Sequence, residues 1–184
     1  LTQIKGADAL VGKPHLGLQA DGMRRFQYNP RLLDVVRRIP RGSIVDRNGL
    51  ALATEDPDLA RKGAPLYARL GVSIDPACAN RGARCYPLGG RAFHVLGDAS
   101  TRRNWGASNT SFVERDDESA LRGFDDHPSV VPLLDAEGKQ SSTLRRDYRE
   151  VVPLLRHRFD PEYPAMKAAM NPHRELKLTM DARL

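Results

Sequence analysis

The sequence lacks any long apolar run. None of its segments approaches the roughly 18 uninterrupted apolar residues that argue for a membrane span. The first ten residues, LTQIKGADAL, have no apolar core of a secretory signal and do not begin with Met. The last residues, LKLTMDARL, form no polar tail. With 184 residues, 40% hydrophobic and 28% charged, the chain suits a globular segment of one domain or two small lobes, cut from a longer protein.

Aromatic residues are also scarce, at 6% of the sequence with a single Trp. The net charge of +6 admits anionic partners, but the arginine pairs at 24–25, 37–38, 102–103 and 145–146 are scattered and stand near acidic residues. Nucleic-acid-binding proteins place cations on one face and interleave them with aromatics. We therefore expect a solvated, Arg-rich surface and no nucleic-acid partner, with a basic module for anionic polymers as the alternative.

Only two cysteines occur, Cys78 and Cys85, separated by ANRGAR. A zinc site would need two close Cys pairs, or Cys and His at short helical spacing, and the five histidines lie too far apart in the sequence. We expect no metal or other cofactor; a metal site of Cys78, Cys85 and His94 is the weaker alternative. The spacing fits a loop-closing disulfide in an oxidising compartment, and two free thiols are the other possibility.

Motifs of catalytic machinery are missing as well. No serine is followed by Lys three residues later, and G-x-S-x-G, G-x-x-x-x-G-K-[ST], G-x-G-x-x-G and H-E-x-x-H are all absent. His94 has no cysteine or carboxylate at a spacing that would orient a base, so we interpret it as a structural histidine bonded to nearby backbone. The acidic run 114–118 is typical of a solvated surface. The residues alone therefore predict no enzyme.

Local patterns predict short helices. In NPRLLDVVRRIP (29–40), Asn29 is a candidate N-cap and Pro30 fits the first helical position, although the β-branched residues leave a strand open. DPDLARKGAPLYARLG (56–71) reads as one or two short helices interrupted at Gly63-Ala64-Pro65. Further helical patterns are GGRAFHVLG (89–97), with Ala92, Val95 and Leu96 on one face and Gly97 as its end, ESALRGF (118–124), 142–159 and 161–170.

Three segments predict strands. GSIVDRNGLALAT (42–54) is a hairpin pattern in which Asn48-Gly49 favours a type I′ turn. VVPLLDAEGKQSS (130–142) is a second hairpin pattern, with turn residues at 135–138. ELKLTMD (175–181) alternates apolar and polar residues, as a half-buried strand does. Short strands and helices with many turns predict an α+β fold with long irregular loops.

Three segments in this order resemble the N-terminal non-catalytic module of class B penicillin-binding proteins, the peptidoglycan transpeptidases. RGSIVDRNGLALA (41–53) is similar to R-G-x-I-x-D-R-x-G-x-x-L-A, and RCYPLGGRAFHVLG (84–97) to R-x-Y-P-x-G-x-x-A-x-H-x-x-G. LKLTMDARL (176–184) is similar to the segment that leads into the transpeptidase domain. FVERDDESALRG (112–123) matches a fourth motif in part, because NTS replaces its glycine-bearing approach. The lead-in ADGMRRFQYNPRLLDVVRR resembles a subgroup associated or fused with a membrane glycan polymerase.

The resemblance implies a pedestal with a head lobe, in which the first-motif hairpin and the last strand join one small β-sheet. Arg41, Asp46, Arg47 and Arg84 are expected to form charge-assisted, partly buried hydrogen bonds with each other and with Glu114. Glycines are expected to allow tight turns and close backbone approach. Tyr86-Pro87 is expected to form an extended segment before a short helix, and Arg84, Tyr86 and His94 to hold that helix on the hairpin. The motif residues with these expected structural roles are Arg41, Gly42, Asp46, Arg47, Gly49, Arg84, Tyr86, Pro87, Gly89, His94, Gly97, Glu114, Gly123 and Asp181.

The resemblance also implies a function for residues 1–184 as a whole. The parent protein would carry a membrane helix before residue 1, its only membrane contact, and a serine-type transpeptidase domain after residue 184, which β-lactams trap as an acyl-enzyme. The chain itself would be non-catalytic and extracytoplasmic, with that transpeptidase domain and a membrane glycan polymerase as partners. Such a location favours a disulfide between Cys78 and Cys85. A role in division or in elongation stays open.

Overall fold

The computed structural model describes residues 11–74, 76–99, 105–107, 109–134 and 138–183. The fold is α+β, as the sequence predicts, with short helices, small sheets and long loops. The helices are α1 (Pro30–Arg38), α2 (Pro57–Lys62), α3 (Ala64–Arg69), α4 (Phe93–Leu96), α5 (Val113–Asp116), α6 (Glu118–Arg122), α7 (Val152–Leu155) and α8 (Pro164–Ala169). The strands are β1 (His15–Leu18), β2 (Arg24–Gln27), β3 (Ser43–Val45), β4 (Ala51–Ala53), β5 (Ser129–Leu134), β6 (Gln140–Arg145) and β7 (Glu175–Lys177). Short 3-10 turns cover Pro76–Ala79, Gly89–Ala92 and Arg149–Val151.

The chain divides into two compact units. The first contains 1–39, 100–109 and 124–170, and the second contains 40–99, 110–123 and 171–184. Across the described residues, every helix is too short or too polar to cross a membrane. The segments that resemble the penicillin-binding protein motifs all fall in the second unit.

Helix α1 organises the first unit. The Asn29 side chain accepts a hydrogen bond from the Arg31 N–H at 3.0 Å, and Pro30 occupies the first turn, which confirms the predicted start. The buried side chains of the helix pack with residues of the 3-10 turn and α7 in one apolar cluster: Leu32, Val35, Val36, Ile39, Phe124, Tyr148, Val151 and Val152. Burial of this helical stripe therefore overrides the strand preference of its β-branched residues.

The hairpin β5–β6 in the first unit confirms one sequence prediction and corrects another. The strands pair antiparallel, with Val130 opposite Leu144, while the predicted turn residues 135–137 lie outside the described residues. Residues 142–145, expected to start a helix, instead belong to β6. These residues form a strand because their backbone pairs with β5. The helix that was expected from residue 142 begins only at Val152, as α7. The helical pattern 161–170 is confirmed by α8.

A three-stranded sheet, in the order β4-β3-β7, forms the centre of the second unit. Strands β3 and β4 are the predicted antiparallel hairpin, and β7 pairs parallel to β3 with Leu176 opposite Ile44. The first-motif hairpin and the last strand therefore share one sheet, as expected. The core beside it contains Ile44, Leu50, Leu52, Ala53, Tyr67, Leu88, Ala92, Leu96 and Leu121.

The turn of this hairpin differs from the predicted type I′. That turn needs positive φ at both central residues, but within the described chain His127 alone among non-glycine residues has positive φ. The Gly49 N–H donates to the Asp46 carbonyl at 3.0 Å, and Gly49 itself takes φ 83°. The Asp46 carboxylate accepts the N–H groups of Asn48 and Leu50, and this local capture of the loop favours a three-residue connection with glycine last.

The remaining elements of the second unit follow the sequence closely. Helices α2 and α3 are separated only at Gly63, because Ala64 and Pro65, expected to be part of the interruption, begin α3. Helix α6 ends at Gly123 in the left-handed conformation. Ala92 and Leu96 are buried as expected, but Val95 is exposed. Helix α4 has a single turn, so only positions four apart share the face that meets the core.

The alternation in 175–181 is confirmed. Strand β7 is short, yet Leu176, Leu178 and Met180 all pack against the core, whereas Lys177 and Thr179 are exposed. The Leu178 N–H donates to the Val45 carbonyl at 2.8 Å, so the extended backbone remains attached to β3 beyond the strand.

Candidate functional site

A carboxylate on α5, Glu114, is fully buried and collects three donors from distant parts of the chain. Its Oε2 accepts from Arg41 Nε at 2.6 Å, and its Oε1 accepts from Arg84 Nε at 2.7 Å and from the Tyr86 hydroxyl at 3.1 Å. We call Arg41, Arg84, Glu114 and Glu118 the ion cluster. Two motif arginines, predicted to bind Glu114, are thus confirmed as its partners.

Arg41 contacts both carboxylates of the ion cluster. Its guanidinium also donates to the Glu114 carbonyl at 2.6 Å and forms an ion pair with Glu118 at 2.5 Å. Its backbone N–H donates to the Glu55 carboxylate at 3.1 Å. Burial by itself would lower the pKa of Arg41, but the carboxylates of Glu114 and Glu118 outweigh it and raise the pKa.

Arg84 links the second motif to the first, because its Nη1 donates to the Gly42 carbonyl at 2.7 Å. Next to it, Cys85 exchanges backbone hydrogen bonds with Thr54 at 2.8 and 2.9 Å, which extends the hairpin pairing. Gly42 has the close backbone approach expected of it: a Cβ there would lie 2.7 Å from the Cβ of Arg174. Nothing larger than glycine fits at that position without a shift.

Tyr86 and Pro87 hold the entry to α4. The Tyr86 hydroxyl accepts from the Ala99 N–H at 2.8 Å, and burial, followed by the charge of Glu114, raises the pKa of Tyr86. The Tyr86 carbonyl accepts from the Gly89 N–H at 2.7 Å, so Pro87 lies inside a turn. Gly89 and Gly97, on either side of the helix, both have positive φ.

His94 is the motif residue whose expected role is wrong. The prediction was a histidine bonded to backbone that holds α4 to the hairpin, but the side chain is exposed and meets Phe93 edge-on, with ring centroids 6.3 Å apart. In a one-turn helix, Ala92 and Leu96 take the inward face and leave position 94 outside.

Asp46 and Arg47 also differ from expectation, since neither enters the ion cluster. Asp46 is fully buried and accepts the N–H groups of Asn48 at 2.8 Å, Leu50 at 2.9 Å and Ala182 at 3.2 Å. Burial opposes ionisation, but these donors prevail and lower the pKa of Asp46. Arg47 points to the third motif instead, where its Nε donates to the Thr179 carbonyl at 2.6 Å. Both residues therefore join the first motif to the third.

Asp181 lies in the third motif, close to this junction. Its carboxylate pairs with Arg183 at 2.5 Å, and hydrogen bonds from Arg183 hold the pKa of Asp181 well below its usual range. The Arg47 N–H donates to the Met180 carbonyl at 2.9 Å, which fixes the neighbouring backbone. The role of Asp181 is thus local to the end of the sheet.

Cys78 and Cys85 form a disulfide, and both are buried beside Ala60. The bridge closes the loop that ends at the second motif. The spacing of the two cysteines left open whether they are bridged or free, and the structure shows the bridge. Because the two sulfurs are bonded to each other, they are not the thiolate ligands that a metal site of Cys78, Cys85 and His94 would need. Over the described residues, His, Cys, Asp and Glu side chains nowhere gather in a group of three that could hold a metal ion.

Sequence reasoning missed Glu118 and a second buried carboxylate. The run 114–118 is not a solvated stretch, because Glu114 on α5 and Glu118 at the start of α6 lie four residues apart and are both buried. That spacing of four was the available signal. In the first unit, buried Asp126 pairs with Arg146 at 2.5 Å, and the Arg146 guanidinium lies 4.9 Å from the centre of the Trp105 ring.

A cavity of about 570 Å³ opens beside the ion cluster and is lined largely by the second motif. Its walls include the disulfide, Arg84, Tyr86, Arg91 and Phe93. Ser73 is the one serine among the described residues that line this cavity, and these residues include no histidine or lysine.

Comparisons with protein-family models, with curated proteins and with solved structures find no match for this chain. The geometry of the motif residues therefore carries the functional assignment.

Proposed function

We propose that the chain is the non-catalytic pedestal module of a class B penicillin-binding protein. In this role it positions a serine-type transpeptidase domain for peptidoglycan cross-linking, on the outer face of the cytoplasmic membrane, and contacts a membrane glycan polymerase. The observation that carries the proposal is the ion cluster, in which Arg41 of the first motif and Arg84 of the second meet on Glu114 of the partial fourth.

The contacts among the motifs support the resemblance. Chance similarity in segments spread over residues 41–184 gives no reason for the matching side chains to touch. Here the first and second motifs share Glu114, and the third motif pairs as β7 alongside β3 of the first. A sequence pattern under structural constraint is expected to assemble in this way.

The same contacts supply a mechanical reason for a pedestal. The backbone that leaves β7 is attached to the first motif through the Leu178 N–H, Arg47 and the Asp46 carboxylate, which binds the Ala182 N–H. Several hydrogen bonds spaced along one segment fix its direction. A domain that follows such a segment takes its orientation from the sheet rather than from a flexible linker.

The disulfide supports an extracytoplasmic location, since such bonds persist in oxidising compartments and are rare in the cytosol. The alternative, a stand-alone module for anionic cell-wall polymer or nucleic acid, needs accessible arginines on one face. Arg41 and Arg84 are instead buried, and Arg61, Arg115 and Arg149 are paired with carboxylates. We therefore favour the pedestal.

Labelling with a fluorescent penicillin tests the proposal. The sample is the full-length natural protein that contains this chain, with the 184-residue chain alone and a full-length variant lacking the S-x-x-K serine as controls. We expect a labelled full-length protein and two unlabelled controls, because the acylated serine would lie outside the chain.

Absence of label on the full-length protein would contradict the proposed transpeptidase activity, and with it the proposed role of this chain as a pedestal. In that case, binding of the chain to an anionic polymer, with affinity that falls steeply as salt rises, would support the alternative. Co-purification of the labelled protein with a glycan polymerase from detergent-solubilised membranes would support the proposed partner, and its absence would count against that part alone.

A further inference from the structure

The hairpin β1–β2 in the first unit concentrates exposed apolar side chains. Six large hydrophobic side chains are exposed among the described residues, and three of them belong to this hairpin or its turn. They are Leu16 at 41% exposure, Leu18 at 69% and Met23 at 41%. Single exposed leucines are common on protein surfaces, whereas a group within one small element suggests a surface that is covered by something else.

The strand register makes one face of this hairpin apolar. Leu16 lies opposite Phe26, and Leu18 lies opposite Arg24. Residues opposite one another in an antiparallel pair, and residues two apart in a strand, share a face. That face therefore presents Leu16, Leu18 and Phe26, with Arg24 toward the turn.

The other face is polar and internally satisfied. His15 and Gln27 are joined by a hydrogen bond of 2.7 Å between their side chains, and Arg25 pairs with Asp21 at 2.6 Å. Gln27 also lies over Gly17, whose missing side chain leaves room for it. The hairpin is consequently amphipathic.

Positive charge surrounds the apolar face. Between residues 13 and 27 the charged side chains are Lys13, Arg24, Arg25 and Asp21, and the single carboxylate is matched by Arg25. Leucines next to exposed lysine and arginine are the arrangement that binds anionic lipid at a bilayer surface.

The size of this face favours lipid over a protein partner. Specific protein interfaces bury about 800 Å² on each side, far more than three part-exposed side chains provide. A small apolar wedge with flanking cations suffices for an interfacial contact. We propose that hairpin β1–β2 binds the surface of an anionic phospholipid bilayer, with Leu16 and Leu18 entering the headgroup region. This proposal stands independently of the pedestal function, and it adds a membrane contact beyond the single helix that the resemblance implies.

Vesicle sedimentation tests the proposal on the 184-residue chain. We expect binding to vesicles that contain phosphatidylglycerol and much weaker binding to pure phosphatidylcholine. The double variant Leu16→Ser/Leu18→Ser should lose about tenfold or more in affinity, because its apolar wedge is gone. Lys13→Gln/Arg24→Gln should lose about fivefold for each cation removed.

Matched variants elsewhere on the chain separate this surface from general stickiness. Leu134→Ser/Phe159→Ser removes two other exposed apolar side chains, and Arg37→Gln/Lys62→Gln removes two other exposed cations. Both controls should bind as the parent sequence does. Failure of the parent sequence to bind anionic vesicles, or an equal loss in the control variants, would overturn the proposal. Circular dichroism confirms that each variant is folded.

Discussion

Replacement of Glu114 by glutamine tests the ion cluster at its centre. The substitution keeps the shape and one acceptor oxygen but removes the charge, while the Arg41 and Arg84 side chains stay buried, at 8% and 10% exposure. Removing one partner of a buried ion pair costs about 3–5 kcal/mol, because the remaining charge loses its compensation. Arg41 retains its ion pair with Glu118. We therefore expect the free energy of unfolding to fall by about 3 kcal/mol, the lower end of that range.

Urea unfolding followed by circular dichroism measures this loss. With a denaturant slope of about 2 kcal/mol/M, the midpoint should fall by about 1.5 M. Native-state hydrogen exchange adds a local measurement. The amides of Gly42, Thr54 and Cys85, which donate to backbone carbonyls around the cluster, should exchange faster in the variant.

Glu175→Gln is the matched control, because it makes the same chemical change at an exposed position of β7 in the same unit. Its effect should stay within about 0.5 kcal/mol. Equal midpoint shifts for Glu114→Gln and Glu175→Gln would refute the reasoning. The motifs would then be held together by apolar packing rather than by the shared carboxylate.

Arg84→Ala should cost about 1–3 kcal/mol in urea unfolding, less than Glu114→Gln, since Arg41 still compensates the carboxylate; a larger cost would contradict this order. Asp46 has a lowered pKa in the fold, so its stabilisation is complete above the ordinary pKa of an unfolded Asp, 3.8, and is lost as pH falls through the lower folded pKa. Stability of Asp46→Asn should depend less on pH in that acid range, and an unchanged acid slope would exclude the buried carboxylate as its cause. Cys78→Ser/Cys85→Ser should cost about 2–3 kcal/mol, as expected for the short loop that the bridge closes, and a reducing agent should destabilise the parent sequence but not this variant. Gly42→Ala should lower the midpoint of thermal unfolding, because the new Cβ would lie 2.7 Å from the Cβ of Arg174. An unchanged midpoint would show that Arg174 can move away at little cost in free energy.

Several elements follow from local sequence because their determinants lie within a few residues. Asn29 and Pro30 start α1, and glycine at 123 ends α6, each through backbone geometry or a hydrogen bond to a near neighbour. The alternation in 175–181 identified which side chains face the core. The spacing of the two cysteines allowed their bridge, although it equally allowed free thiols.

Other features depended on partners far along the chain. Residues 142–145 form a strand because β5 pairs with them, and Glu118 is buried because Arg41 reaches it. Asp46 was expected to meet arginines, yet its acceptors are taken by the amides of its own loop and of Ala182.

The sequence by itself determined where most of the described helices and the β3–β4 hairpin lie, along with the motifs that suggest a pedestal. Only the tertiary structure decided that β7 pairs parallel to β3, that His94 faces solvent and that two arginines share Glu114. The physical reason is the range of the forces involved. Caps and turns are satisfied by neighbouring residues, whereas a buried charge or a strand edge must be satisfied by whichever distant group the fold brings to it.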